Sequence, residues 1–269
     1  MLKALNLKEI VTMSDTQHVL NRPDTYIGDS STVEEEVTLI TEDGLKNVKV
    51  FYSKLALKLF DELFVNSLDH FTRNEHILRN SYRISVYKDK NTVTIRNNFN
   101  VIPASEDALK RLFATMRTGT NFDDEENRIT GGRNGLGCKL VAIFATEASV
   151  TVAYCHSKLT MYMKDHMSKI SFGPIVQTVE EDYFEYSYNL TKDKYTAKYL
   201  TLVDPLPDSV ILSRMMMASY LPIKMSFCGR LLPKFTWQEF ANLFCNSHVY
   251  AVESKTSHWK IAIGLRVTE

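Results

Sequence analysis

The chain has 269 residues, 44% apolar and 24% charged, with 32 basic and 32 acidic side chains and a formal net charge of zero. That length suits one large domain or one and a half ordinary ones, and the charge balance excludes a global pull toward DNA or acidic membranes. Four dispersed cysteines without a C-x-x-C pair, seven scattered histidines and no apolar run of spanning length argue against a zinc site, a disulfide framework or a membrane anchor, so a soluble intracellular protein is expected.

In chain order, residues 37–42 and 45–52 are β-rich and flank Asp43-Gly44, a hairpin signal. Residues 53–72 read as a helix, because Leu55, Leu59, Phe60, Leu63, Phe64 and Leu68 recur at helical spacing behind Ser53, a plausible N-cap. Paired strands follow at 82–88 and 92–97, then a helix near 105–116. A polar stretch, 117–131, leads into a glycine cluster, and a helix is expected over 137–146. Alternating β-type segments occupy 148–155, 158–164, 182–189 and 197–203. The tail gives a Met-rich helix at 207–221, a strand at 223–228, a helix at 236–246 and a strand at 259–267. Strands with segregated helices predict an α+β two-layer sandwich around a mixed, mainly antiparallel sheet. A strand at the very end, with nothing to cover it, predicts that these residues are the N-terminal part of a longer protein.

The glycine cluster carries the first chemical signal. Gly131, Gly132, Gly135 and Gly137, four of the ten glycines, fall within seven positions, with Arg133 and Lys139 among them. Glycines let backbone N–H groups approach a ligand closely, and a helix starting near Gly137 adds the partial positive charge of its N-terminus. This describes a phosphate cradle. The P-loop pattern fails, since Cys138 precedes Lys139 and Leu140 stands where a hydroxyl is needed.

On the first long helix Glu62, Asn66 and Asp69 share one face. An Asn amide oxygen suits Mg²⁺ beside triphosphate oxygens, and a carboxylate one turn away can orient and deprotonate water. Taken alone, the same spacing describes a solvated polar face. At a strand end, Asn97-Asn98-Phe99-Asn100-Val101-Ile102-Pro103 offers an amide for the edge of a base and an apolar floor, or simply a turn.

Three elements in this order, Glu62-x-x-x-Asn66, the Asn97 strand end and the glycine lid, resemble the GHKL (Bergerat-fold) ATPases. These include gyrase B and chaperone, mismatch-repair and histidine-kinase members. His18-Val-Leu-Asn-Arg-Pro-Asp-Thr-Tyr-Ile-Gly28 is similar to the opening stretch of type IIA DNA topoisomerases. Phe60-Asp-Glu-Leu-Phe-Val-Asn-Ser-Leu-Asp69 and Thr130-Gly-Gly-Arg-Asn-Gly-Leu-Gly137 resemble their eukaryotic branch almost residue for residue. The match covers roughly residues 10–145.

The resemblance implies an ATP- and Mg²⁺-dependent domain that dimerises on ATP to form a gate, acting on DNA through the full-length enzyme. It assigns Glu62 as general base, Asn66 as magnesium ligand, and Asp69, His70 and Asn97 to the nucleotide, with Asn97 on adenine. Ile102 and Phe113 would form the hydrophobic wall. Thr120 and Asn121 would reach ribose and phosphate, and Arg133, Asn134, Gly135, Leu136, Gly137 and Lys139 would wrap the phosphates, Lys139 nearest the charge. A strand threonine on adenine is expected near Thr196. Residues 1–30 would be a strap and arm reaching a partner, 31–235 the ATPase domain and 236–269 the start of a transducer domain.

There are departures. Phe99 and Val101 occupy places where the family has glycines, and the Gln-Thr-Lys loop of the transducer has no match. Such divergence around a eukaryote-like core suggests a viral member. Glu62 argues against the kinases and Arg22-Pro23 with Tyr26-Ile27-Gly28 against the chaperones. A degenerate, non-catalytic dimerisation module is the remaining alternative, supported by Phe99 and Val101 alone.

Overall fold

The computed structural model describes residues 13–41, 43–116, 135–244, 249–253 and 260–264. Its elements are α1 (Asp15–Asn21), α2 (Asp24–Ile27), β1 (Thr32–Thr41), β2 (Gly44–Ser53), α3 (Lys54–Arg73), α4 (Glu75–Leu78), β3 (Arg83–Asp89), β4 (Thr92–Asn98) and α5 (Glu106–Phe113). They continue as α6 (Gly137–Phe144), β5 (Glu147–Tyr154), β6 (Ser157–Lys164), β7 (Lys169–Phe172), β8 (Val176–Gln177), β9 (Tyr183–Asn189), α7 (Asp208–Met216), β10 (Lys224–Phe227), β11 (Arg230–Leu231), α8 (Trp237–Leu243), β12 (Val249–Glu253) and β13 (Lys260–Gly264).

Among the described residues the main sheet has nine strands in the order β11-β10-β3-β4-β9-β5-β6-β7, with β8 also on β6. Only the β10–β3 pairing is parallel. This is the mixed, mainly antiparallel α+β sheet that the segregated strand and helix signals predict.

Strand alternation makes the two faces different. Ile84 and Val86, Val93 and Ile95, Val150 and Val152, and Leu159 and Met161 are buried in one apolar core. The alternate positions pair hydroxyls, Thr94 with Ser187 and Thr151 with Thr160, both at 2.9 Å. Helices α3 and α6 pack on each other, α3 against β4 and α6 against β5.

Ser53 caps α3 as expected, its Oγ accepting from the Ala56 N–H, and Leu55, Leu59, Phe60, Leu63 and Phe64 form the buried stripe. The β1–β2 hairpin closes on the pair Thr41↔Gly44, with Gly44 at φ 108°. Outside the main sheet, β12 and β13 pair beside α8, while Ile40, Met216 and Phe240 form a second small core.

Residues 15–27, part of the segment expected as strap and arm, are seated on this chain. A capping box between Ser14 and Gln17 starts α1, Val19, Leu20 and Ile27 are buried, and α1 packs against α6. Their apolar side chains have a core to fill within the same chain. The first 12 residues lie outside the described ones. Residues 197–203, expected as a strand, form none. Asp193 folds that segment back: its Oδ1 accepts from the backbone N–H groups of Tyr195 and Thr196 and from Thr196 Oγ1, near 3 Å each. Short alternation is a weak signal when a side chain offers the backbone a turn instead.

Candidate nucleotide site

The site lies where α3 crosses the sheet and meets α6. Glu62 and Asn66, one turn apart on α3, both reach the first turn of α6. A Cβ placed on Gly137 would lie 2.0 Å from Glu62 Oε2, so any side chain at that point would require Glu62 to leave its present place. Lys58, one turn back, holds the other carboxylate oxygen, Nζ to Oε1 2.6 Å. Asn66 Nδ2 donates to Cys138 Sγ at 3.2 Å. The carboxylate and the amide are thus brought together at the start of the helix that follows the glycine segment.

Lys139 is buried, and its Nζ donates to the Gly135 carbonyl at 2.6 Å. Burial lowers its pKa from the ordinary lysine value. Gly135 takes φ 57°, and Leu136 precedes the helix as its N-cap residue. Burial also pushes the Cys138 thiol up to about 12. From the sheet, Tyr186 Oη donates to the Cys138 carbonyl at 2.7 Å, tying β9 to this same turn.

The other end of the site is set by β4. Period-two alternation places Asn97 on the same face as the buried Val93 and Ile95, under α3, where an amide replaces the next apolar residue. Its Oδ1 accepts from Ser67 Oγ at 3.3 Å and its Nδ2 donates to the Asn98 carbonyl at 3.1 Å. Asp69 is buried on the same helix. His70 Nε2 donates to the Phe99 carbonyl at 2.9 Å, and burial lowers the His70 pKa.

Phe99 adopts φ 59°, so the turn keeps the left-handed backbone that glycine would supply more cheaply. Asn100 closes it, donating to the carbonyls of Ile102 and Ala153 and accepting from the Ile102 N–H. Ile102 is half-buried against the core. Phe113 stacks on Phe184, centroids 5.5 Å apart.

The residue opposite Asn97 on the neighbouring strand is Phe184. Thr196, expected near this place on a strand, is instead buried in the Asp193 turn with its hydroxyl bonded there. Thr120, Asn121, Arg133 and Asn134 lie outside the described residues. Ser67, Cys138, Phe184 and Tyr186 were not among the residues expected from sequence. Ser67 and Cys138 each adjoin an expected site residue, but nothing in the sequence says what their side chains touch.

Asn66, whose Nδ2 is engaged by Cys138, offers its amide oxygen as the kind of donor that a hard cation takes. Among the described residues no three His, Cys, Asp or Glu side chains group into a metal site. A hard cation held by one amide oxygen, phosphate oxygens and water needs no such group.

No family model matches the chain. In sequence it is 27% identical to DNA topoisomerase 2-alpha of Gallus gallus over 93% of this chain and 17% of that protein. It is 30% identical to DNA topoisomerase 2-beta of Mus musculus over 85% of this chain and 14% of that protein. The chain thus spans about a sixth of the length of the curated relatives it matches. In structure it is similar to the ATPase region of Saccharomyces cerevisiae topoisomerase II, TM-score 0.78 at 23% identity, over 95% of this chain and 70% of that one. The ATPase and transducer domains of DNA topoisomerase II from Balamuthia mandrillaris give 0.76 at 24%, over 98% and 70%. Related sequence over most of its length and the same GHKL fold make this chain a homologue of the ATPase region of the eukaryotic type II DNA topoisomerases.

Proposed function

We propose that this chain is the ATP-binding and ATP-hydrolysing N-gate domain of a type II DNA topoisomerase. It closes as a homodimer on ATP and drives passage of double-stranded DNA through the full-length enzyme, relaxing or decatenating it. The observation that carries the reading is the convergence of Glu62 and Asn66 on the first turn of α6, with Glu62 packed so close to Gly137 that no Cβ fits between them.

In this reading Glu62 orients a water and takes its proton, while Lys58 holds the carboxylate in place. Asn66 Oδ1 is the protein ligand of Mg²⁺, which when bound neutralises charge on the triphosphate. Asn97 meets the adenine edge with Ile102 and Phe113 as apolar wall, and Asp69 and His70 complete that end. Thr120 and Asn121 take the ribose and nearby phosphate. Arg133, Asn134, Gly135, Leu136, Gly137 and Lys139 surround the phosphates. Lys139 assists the reaction as its cation, sharing the ammonium now bonded to the Gly135 carbonyl. Residues 1–30 serve as strap and arm, 31–235 as the ATPase domain, and 236–269 begin a transducer domain. A viral member working in host cytoplasm, or otherwise a nuclear enzyme, is part of the same proposal.

Glu62→Ala in the whole protein tests the chemistry. Binding of a non-hydrolysable ATP analogue should persist, while hydrolysis falls by about 10²–10⁴-fold, the usual contribution of a general base. Hydrolysis at the wild-type rate would remove Glu62 from that role. In the isolated chain turnover should be slow, because the partner subunit and the Gln-Thr-Lys loop of the family are not supplied.

A further inference from the structure

We propose that Cys138 is a positioning residue for the metal-ligating amide. Its sulfur accepts from Asn66 Nδ2 and so holds Asn66 Oδ1, rather than the amino group, toward a bound cation. This inference rests on the proposed nucleotide site and adds to it a residue whose only part is to orient another.

The two ends of a carboxamide are nearly alike in shape and opposite in charge. An Asn serves as a cation ligand only when its oxygen faces the ion, and an amide with no fixed partner turns either way. Here the 3.2 Å contact from Nδ2 to Sγ fixes one orientation. The partner is itself fixed: Cys138 is the second residue of α6, and its carbonyl accepts from Tyr186 Oη at 2.7 Å. Sulfur is a poor magnesium ligand, because Mg²⁺ prefers hard oxygens. Cys138 therefore accepts from the amide without competing for the ion, as groups behind metal ligands commonly do.

The test compares wild type, Cys138→Ala and Cys138→Ser in the whole chain, using calorimetric titration with a non-hydrolysable ATP analogue over a range of Mg²⁺ and in EDTA. Loss of a group that orients a metal ligand commonly costs 10–100-fold, and less is expected for a weak sulfur acceptor. The Mg²⁺ needed for half-maximal tightening should rise about three- to tenfold in Cys138→Ala, with affinity in EDTA within about twofold of wild type. Cys138→Ser, which keeps an acceptor, should restore the wild-type requirement. An unchanged Mg²⁺ requirement in Cys138→Ala overturns the proposal. So does an equal loss in EDTA, or a serine variant shifted as far as the alanine, because either marks a packing role. Absence of Mg²⁺-dependent binding in wild type would instead remove the nucleotide reading itself, and this inference with it.

Discussion

The phosphate end and the base end of the candidate site hold their side chains by different means. At the phosphate end, α3 and α6 come together so closely that the Glu62 carboxylate occupies the place of a side chain on Gly137. At the base end the contacts among the described residues are of another kind. Asn97 is held by hydrogen bonds, from Ser67 and to the Asn98 carbonyl, and the following turn keeps a left-handed residue that is not glycine. One end adds close steric contact to its ion pair and hydrogen bond, and a close contact fails all at once when volume is added. The other is fixed by exchangeable bonds worth about 1 kcal/mol each, which should fail by degrees.

The largest effect should come from Gly137→Ala. The new Cβ would meet Glu62 Oε2 at 2.0 Å, Cδ at 3.0 Å and Cβ at 3.3 Å, so turning the carboxylate alone does not clear it. Overpacking of this kind typically costs about 1–3 kcal/mol of stability. Displacing the base should lower ATP hydrolysis by about 10²-fold or more, the range of general-base catalysis. Single-turnover hydrolysis beside urea unfolding checks both. A variant of normal stability and near-normal hydrolysis would show that Glu62 does not depend on the close approach.

At the base end Ser67→Ala removes the donor to Asn97 Oδ1. The expected loss is about 1 kcal/mol, roughly fivefold in nucleotide affinity. Hydrolysis of bound nucleotide should stay unchanged, because Glu62 and its partners are untouched. Measuring analogue affinity and single-turnover rate together separates the ends. If the rate falls as far as the affinity, the two ends are coupled and the contrast between them fails.

How much of this was legible in the sequence follows the same division. The long helix, its Ser53 cap and the shared face of Glu62 and Asn66 depend on period 3.6 and one capping residue, so spacing reveals them. The sheet order does not follow from spacing. β9 lies between β4 and β5, and only that pairing brings Phe184 opposite Asn97. The contacts from Ser67 to Asn97 and from Asn66 to Cys138 depend on how α3 is rotated over the sheet and against α6, which no local pattern encodes. Helix α1 was passed over, although its capping-box residues, Ser14 and Gln17, were present to announce it. Thr196 shows the opposite failure, because its alternating surroundings gave a strand pattern and Asp193 decided the fold.

The smallest effects concern the two positions where the family has glycines, and both should be losses, for different reasons. Phe99 sits at φ 59°, a region that costs an L-residue roughly 1–2 kcal/mol. Glycine there relieves that cost but loosens the unfolded chain by about 0.4–1 kcal/mol. Both backbone bonds of Phe99, to the Asp182 carbonyl and from His70 Nε2, survive the change. Phe99 is only 39% exposed, so removing the ring gives up burial worth about 1–2 kcal/mol, more than the backbone relief. Phe99→Gly should therefore destabilise by about 0.5–1 kcal/mol. Val101 is 65% exposed and takes no positive φ, so Val101→Gly relieves nothing and should destabilise by about 0.5–1 kcal/mol. Urea unfolding of the two variants decides the matter. A loss in both would mean that the burial of the Phe99 ring outweighs the cost of its left-handed backbone. A gain in Phe99→Gly would show instead that relief of the left-handed backbone is the larger effect at this turn.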